Sequence, residues 1–88
     1  MMSNDSLLEF PCDFPIKVMG KDSPQFRRTS LAIIEEHVGE LTKEDVSERQ
    51  SKDGNFVALT YNLTIENREQ LDSIYSALSN HDDILVVL

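Results

Sequence analysis

One cysteine and two histidines are the side chains best suited to nucleophilic or metal chemistry. Cys12 is the only cysteine of the 88-residue chain, and its sequence neighbours are Pro11 and Asp13. A nucleophilic thiol needs a nearby base or cation that favours the thiolate, whereas an adjacent carboxylate disfavours it. Because both histidines are distant in sequence, we predict a packing role for Cys12.

The histidines lie in settings that do not predict a metal site. His37 falls near the end of a predicted helix, where a positive charge suits the helix dipole. His81 is followed directly by two aspartates. Three adjacent residues rarely converge on one ion, because neighbouring side chains point in different directions. We therefore predict neither a metal nor a cofactor.

The stretch Gly20, Lys21, Asp22 and Ser23 is the best candidate for ligand binding. It leaves a predicted strand and enters a predicted helix, and the free backbone N–H groups at a helix start favour small anions. An amino acid or another small carboxylate is the expected ligand. The loop lacks the paired cysteines of metal chaperones and the glycines of a phosphate loop, and Arg27 and Arg28 lie a turn inside the helix. We therefore predict that the protein is not an enzyme.

Six elements follow from the spacing of apolar residues. Ser23 and Pro24 resemble a helix cap and a first helical residue, and Gly39 a helix end. Asp53-Gly54 is typical of a hairpin turn, and Asn67 with Gln70 resembles a capping box. The predicted elements are strand 14–19, helix 24–38, strand 46–51, strand 57–65, a helix that opens at Asn67, and strand 84–88.

The order strand, helix, strand, strand, helix, strand predicts an α+β fold. With right-handed crossovers it gives a ferredoxin-like βαββαβ two-layer sandwich, with an antiparallel sheet ordered 4-1-3-2 and both helices on one face. Residues 14–88 form this domain. Residues 1–13 are an extended lead-in that we expect to pack on the domain through Leu7, Leu8 and Phe10.

The charge and composition exclude several classes of partner. Sixteen acidic against eight basic residues give a formal charge of −8, which repels nucleic-acid phosphates. No apolar run approaches the roughly 20 residues of a membrane span. A single cysteine cannot form a disulfide framework, so a cytoplasmic location is favoured.

The uncovered face of the predicted sheet is the leading candidate for function. Thr60, Asn62 and Thr64 would make it small, polar and flat, without the central aromatic rings that RNA-binding versions of the fold use. The apolar last strand, with Leu85 and Val87, would form an exposed edge that invites another chain. We predict a protein partner or self-association as a homodimer.

Three segments resemble the YbeD-like family of small bacterial proteins of unknown function. They are LLEFPCDFPIKVMG, GNFVALTYNLTIENREQLDSIYSAL and DDILVVL. The resemblance implies a cytosolic bacterial domain similar to ACT-type regulatory modules, which bind amino acids beside metabolic enzymes. Gly20 matches the strand-end glycine of such modules. The family has no established catalytic residues, so the resemblance implies none in this chain.

Two functions therefore remain open. One is a non-enzymatic interaction or regulatory domain that contacts a protein through its sheet. The other is an ACT-like sensor of a small ligand at Gly20–Ser23.

Overall fold

Two helices lie on one face of a four-stranded antiparallel sheet in the computed structural model, which describes residues 9–88. The strand order β2-β3-β1-β4 confirms the predicted order 4-1-3-2. The elements are β1 (Cys12–Lys21), α1 (Pro24–Val38), a short 3₁₀ turn (Lys43–Asp45), β2 (Val46–Gln50), β3 (Phe56–Ile65), α2 (Arg68–Ser79) and β4 (Val86–Val87).

The core lies between the sheet and the helices and follows the predicted alternation. Every second residue of β3, from Val57 to Ile65, is buried. Because successive strand residues point to opposite faces, the residues between them lie on the side without helices. Core side chains from the rest of the described chain are Ile16, Val18, Phe26, Ile34, Leu71, Ile74, Leu78 and Ile84.

The caps of α1 confirm the predicted helix bounds. The Ser23 Oγ accepts a hydrogen bond from the Phe26 N–H at 3.1 Å. Pro24 occupies the first helical position, where a missing N–H costs nothing. At the other end, the Gly39 N–H donates to the Glu35 carbonyl at 2.9 Å, and a φ of 87° suits glycine.

The cap of α2 differs slightly from the predicted capping box. The Asn67 Oδ1 accepts from the Gln70 N–H at 2.8 Å, as expected. The Gln70 side-chain oxygen, however, accepts from the N–H of Glu66 at 2.7 Å rather than from that of Asn67. Both bonds fix the chain as it passes from β3 into α2.

β1 starts at Cys12, two residues before the predicted start at Phe14. Lys17 exchanges both backbone hydrogen bonds with Leu88, so the nitrogen of Pro15 points to the same edge of β1. No described strand pairs with that edge at Pro15, and the missing N–H therefore costs no ladder bond. Phe10 packs against the core, whereas Leu7 and Leu8 lie outside the described residues.

β4 is shorter than the predicted strand 84–88. The N–H of Ile84 donates to the His81 carbonyl at 3.1 Å, so this residue closes the preceding turn instead of joining the ladder. The Leu85 N–H then donates to the Met19 carbonyl at 2.9 Å, and only Val86 and Val87 pair as a regular strand.

Candidate functional site

One whole face of the sheet, which we call the open face, is not covered by either helix. In β1 and β3 its residues are those that alternate with the buried ones, and their partners in β2 and β4 extend it. Thr60, Asn62 and Thr64 all lie there, as predicted, and pair across the sheet with Lys17, Pro15 and Asp13. Asn62 and Thr64 are exposed, whereas Thr60 is half-buried.

Leu85 and Val87 do not share the open face with these polar residues. Val87 pairs with the buried Val18 and packs partly against the core on the helix side. Leu85 is 55% exposed and borders a cleft at the end of the sheet. Val86 lies on the open face instead, because it pairs with Met19. The predicted interface residues are therefore divided between different surfaces.

One end of the open face combines apolar and cationic side chains. Phe56, Val86 and Leu88 are three of the four exposed large hydrophobic residues in the described chain. An open depression of about 350 Å³ lies between β2 and β4 there. We call this region the open-face patch. It consists of Lys17, Met19, Arg49, Lys52, Phe56, Ala58, Val86 and Leu88.

Gly20 has a packing role at the end of β1. A Cβ at this position would come within 2.5 Å of the Phe26 ring and 2.8 Å of the Asp83 carbonyl oxygen. Only a residue without a side chain lets α1 and the loop before β4 approach the strand this closely. The structure gives this glycine a steric explanation that requires no ligand.

Two of the three polar side chains of the predicted ligand loop, those of Asp22 and Ser23, are already engaged within the protein. The Asp22 carboxylate lies 2.7 Å from a terminal nitrogen of Arg27 and accepts from the Gln50 amide at 2.5 Å. The Arg27 hydrogen bond, and then that of Gln50, lower the pKa of Asp22. Ser23 caps α1. Asp22 and Ser23 therefore stabilise the junction between β1 and α1.

A cleft of about 570 Å³ lies beside this loop and carries charges of both signs. Its lining includes the cations Lys21 and Arg28 and the carboxylates Asp82 and Asp83. Of the four predicted ligand residues, Lys21 and Ser23 border the cleft, whereas Gly20 and Asp22 do not. The two aspartates come from the loop before β4, which sequence reasoning did not connect with Gly20–Ser23.

Arg27 joins three parts of the fold through its guanidinium group. It forms a two-pronged ion pair with Glu48 of β2, at 2.9 and 2.7 Å, in addition to its contact with Asp22. Its hydrogen bond lowers the pKa of Glu48. The network ties α1 to β2 and to the end of β1.

Replacing Arg27 should reduce the loss of stability in acid. Asp22 and Glu48 have folded-state pKa values below the ordinary 3.8 and 4.5, so they stabilise the fold above those values. This contribution disappears as pH falls through the lowered pKa values. At pH 7 we expect Arg27→Gln to unfold at a lower urea concentration than the wild type. Between about pH 5 and pH 2, its free energy of unfolding should fall less than that of the wild type.

Arg28→Gln is the matched control, because the exposed Arg28 forms no ion pair with a described residue. Urea unfolding at several pH values compares the two variants with the wild type. Equal acid slopes for both variants would contradict the role of the Arg27 network.

The residues considered first for chemistry do not come together. Cys12 is a half-buried free thiol in β1. His37 lies in the last turn of α1, with its Nδ1 2.9 Å from the Ile33 carbonyl. The His81 Nδ1 accepts from the Asp83 N–H at 3.2 Å. Within residues 9–88, no three metal-ligating side chains are grouped closely enough to hold an ion.

None of the described helices combines the length and apolarity needed to cross a bilayer. The features that remain are the uncovered sheet face and the charged cleft. The protein is therefore a small ferredoxin-like α+β domain, and these two surfaces are its candidate contact sites.

Comparison with known proteins places this domain in a family. Residues 5–88 match the family model described as a protein of unknown function, DUF493. The chain belongs to this family, which confirms the YbeD-like resemblance. It is 46% identical over 85 residues to the UPF0250 protein of Paraburkholderia phytofirmans, covering 97% of this chain and 96% of that protein. The identity is 42% over 83 residues to the UPF0250 protein of Neisseria gonorrhoeae, covering 94% and 91%.

A solved structure supports the fold independently. The solution structure of protein HP0495 from H. pylori is similar with a TM-score of 0.61, at 16% identity, over 100% of this chain and 96% of that one. At this identity the likeness concerns the fold alone. The family description and the names of these relatives state no activity.

Proposed function

We propose that this chain is a non-enzymatic cytoplasmic interaction domain with a regulatory role, and that it binds a partner protein through the open face of its sheet. The observation that carries the proposal is the grouping of Phe56, Val86 and Leu88 on a sheet face that no described element covers. An exposed apolar grouping with a polar surround is typical of a protein contact surface. The single free cysteine suits a reducing compartment.

The polar part of the open face supports the same proposal. Asn62 and Thr64 continue the surface beyond the patch, and their short side chains keep it flat. The Thr64 hydroxyl donates to the Asp13 carboxylate at 3.3 Å, which fixes the side chains across β1 and β3. An ordered, flat surface loses little conformational entropy when it binds.

Ala58→Gln should weaken partner binding about tenfold or more, because it places a larger side chain at the centre of the open-face patch. Ala32→Gln is the matched control, since Ala32 is exposed on α1. Each variant is immobilised, and the proteins that it captures from extract of the native bacterium are quantified against the wild type.

Capture lost in Ala58→Gln and retained in Ala32→Gln supports the open face, provided that both variants melt at the wild-type temperature. Equal capture by both variants contradicts the proposal. Sedimentation of the same three proteins shows whether the captured partner is a second copy of this chain.

The second candidate function is a sensor of a small zwitterion, such as a free amino acid, in the charged cleft. Lys21 and Arg28 offer cations to a carboxylate, and Asp82 and Asp83 offer carboxylates to an ammonium group. The presence of both charges around about 570 Å³ favours this alternative. The engaged polar groups of Asp22 and Ser23 count against a ligand held by the loop itself.

A thermal-shift screen with the free amino acids and small carboxylates tests the sensor. A ligand that binds only the folded chain adds about 2.7 kcal/mol at a hundred times its Kd, which raises Tm by several degrees. We expect the same ligand to have a much smaller effect on Arg28→Gln. No shift across the panel, or an equal shift in the variant, would exclude a site in this cleft.

A further inference from the structure

The open-face patch carries a charge opposite to that of the chain as a whole. We propose that it binds an acidic segment of a partner protein, one that presents carboxylate and apolar side chains on the same face of an extended strand. The inference rests on the proposed function, because it names the chemistry of the partner that the open face would take.

Three cations of the patch are not neutralised by a side-chain carboxylate in the described part of the chain. Lys17, Arg49 and Lys52 line the depression, and no described aspartate or glutamate lines it with them. None of the three forms an ion pair with a described residue. Arg27 is the contrast, since two carboxylates neutralise it. Cations without partners on a chain of formal charge −8 attract carboxylates from outside.

These cations come together only through the strand register. Ala58 pairs with Arg49 of β2 on one side and with Met19 of β1 on the other. Two residues further along β3, Thr60 pairs with Lys17 of β1. Charges from two strands on either side of β3 therefore face solvent together, and Lys52 joins them from the β2–β3 turn.

The apolar members lie beside the cations rather than apart from them. Phe56 is 41%, Val86 42% and Leu88 64% exposed. Met19 pairs with both Ala58 and Val86, which joins the apolar surface across β1. A contact surface with an apolar centre and charged surroundings matches the usual anatomy of a protein interface. The partner that fits best offers apolar side chains and carboxylates at the spacing of an extended strand.

A neighbouring depression extends the same chemistry along the sheet. It measures about 330 Å³ and shares Lys17, Arg49 and Ala58 with the patch. Glu48 also borders it, but the Glu48 carboxylate is held by Arg27 at 2.7 Å. The cationic surface is thus long enough to contact several residues of a partner.

A second copy of this chain is a poor occupant of the patch. A two-fold dimer brings the same surface of both subunits together. It would bring the three cations of one patch against the three cations of the other, and like charges across an interface oppose binding.

Nucleic acid is also a poor occupant. Its phosphates match the cations, but stacking of bases needs aromatic rings on neighbouring strands. Phe56 has the only aromatic ring on the open face of the described sheet, and it lies at the start of β3.

The test is a titration of the full chain, followed through its backbone amide resonances. One probe is a synthetic peptide of about a dozen residues in which glutamate and leucine take turns at every second position, with serine between them, so that both kinds of side chain share one face of a strand. Its counterpart has lysine in place of glutamate. A uridine oligonucleotide of similar length is the third probe.

We expect the glutamate peptide alone to bind, with shifts concentrated at Lys17, Arg49, Phe56 and Ala58. Arg49→Glu should weaken its binding about tenfold. Lys43→Glu, which makes the same change in net charge away from the open face, should change it less than about twofold.

Four results would overturn the inference. They are equal or tighter binding of the lysine peptide, preferential binding of the oligonucleotide, shifts centred away from the patch, and no shifts with any probe. Failure of the inference is distinguishable from failure of the proposed function. If the glutamate peptide does not bind but Ala58→Gln still abolishes partner capture, the open face is a contact surface for a partner of different chemistry.

Discussion

Gly20→Ala should destabilise the fold by about 2–3 kcal/mol, because the added methyl group overpacks a rigid site. The new Cβ would meet the Phe26 ring at 2.5 Å and the Asp83 carbonyl oxygen at 2.8 Å. Phe26 is 1% exposed and belongs to the core, so its ring cannot turn aside into solvent. Urea unfolding of the variant measures the change in the free energy of unfolding.

Two further variants show whether steric overlap is the cause. Gly54→Ala tests the loss of glycine at a position with φ of 76° and open space around the new Cβ, and should cost only about 1 kcal/mol. In a Phe26→Leu background, Gly20→Ala should cost less than in the wild type, because the smaller side chain relieves one of the two overlaps. Additive effects of the two substitutions would contradict the proposed contact.

Ser30→Ala should destabilise the fold by about 1–3 kcal/mol, and by more than Tyr61→Phe does. The Ser30 Oγ and the Tyr61 hydroxyl are 2.6 Å apart between α1 and β3, and both residues are buried. Removing the serine leaves the tyrosine hydroxyl buried without this partner. Removing the tyrosine hydroxyl leaves the Ser30 hydroxyl able to donate to the Arg27 carbonyl at 3.2 Å.

The double variant Ser30→Ala/Tyr61→Phe should be more stable than the sum of the single effects predicts, because it leaves no buried hydroxyl at this site. Burial raises the pKa of Tyr61, so its hydroxyl remains protonated at neutral pH, where urea unfolding is measured. If Tyr61→Phe lowers the free energy of unfolding more than Ser30→Ala does, another group must be a hydrogen-bond partner of the tyrosine hydroxyl.

The fold could be predicted because its main signals are local. Ser23, Pro24 and Gly39 mark the ends of α1 directly, and the structure places the helix at Pro24–Val38. The alternation in β3 fixes which of its residues are buried. Right-handed crossovers then leave one plausible order for four strands, and the observed order agrees.

The composition of the open face could be predicted only in part. Thr60, Asn62 and Thr64 follow from alternation within one strand. The side to which Val86 and Val87 point depends on the turn before β4, where Ile84 bonds back to His81. An apolar run such as Ile84–Leu88 carries no alternation that reveals this choice.

Features that depend on contacts between distant residues were beyond sequence reasoning. Lys17 and Arg49 are 32 residues apart in the sequence, and only the pairing of β1 and β2 with β3 brings them to one patch. The need for glycine at position 20 likewise follows from the position of Phe26 and the loop at Asp83. No motif in the sequence encodes either arrangement.

Site-specific photo-crosslinking in the native bacterium tests most directly whether the open face is the contact surface. A photoreactive side chain replaces Thr60 on the open face or Ser73, which is exposed on α2. We predict an adduct with another protein from position 60 and none from position 73. Adducts from position 73 without any from position 60, or no adduct from either, would contradict a function based on the sheet.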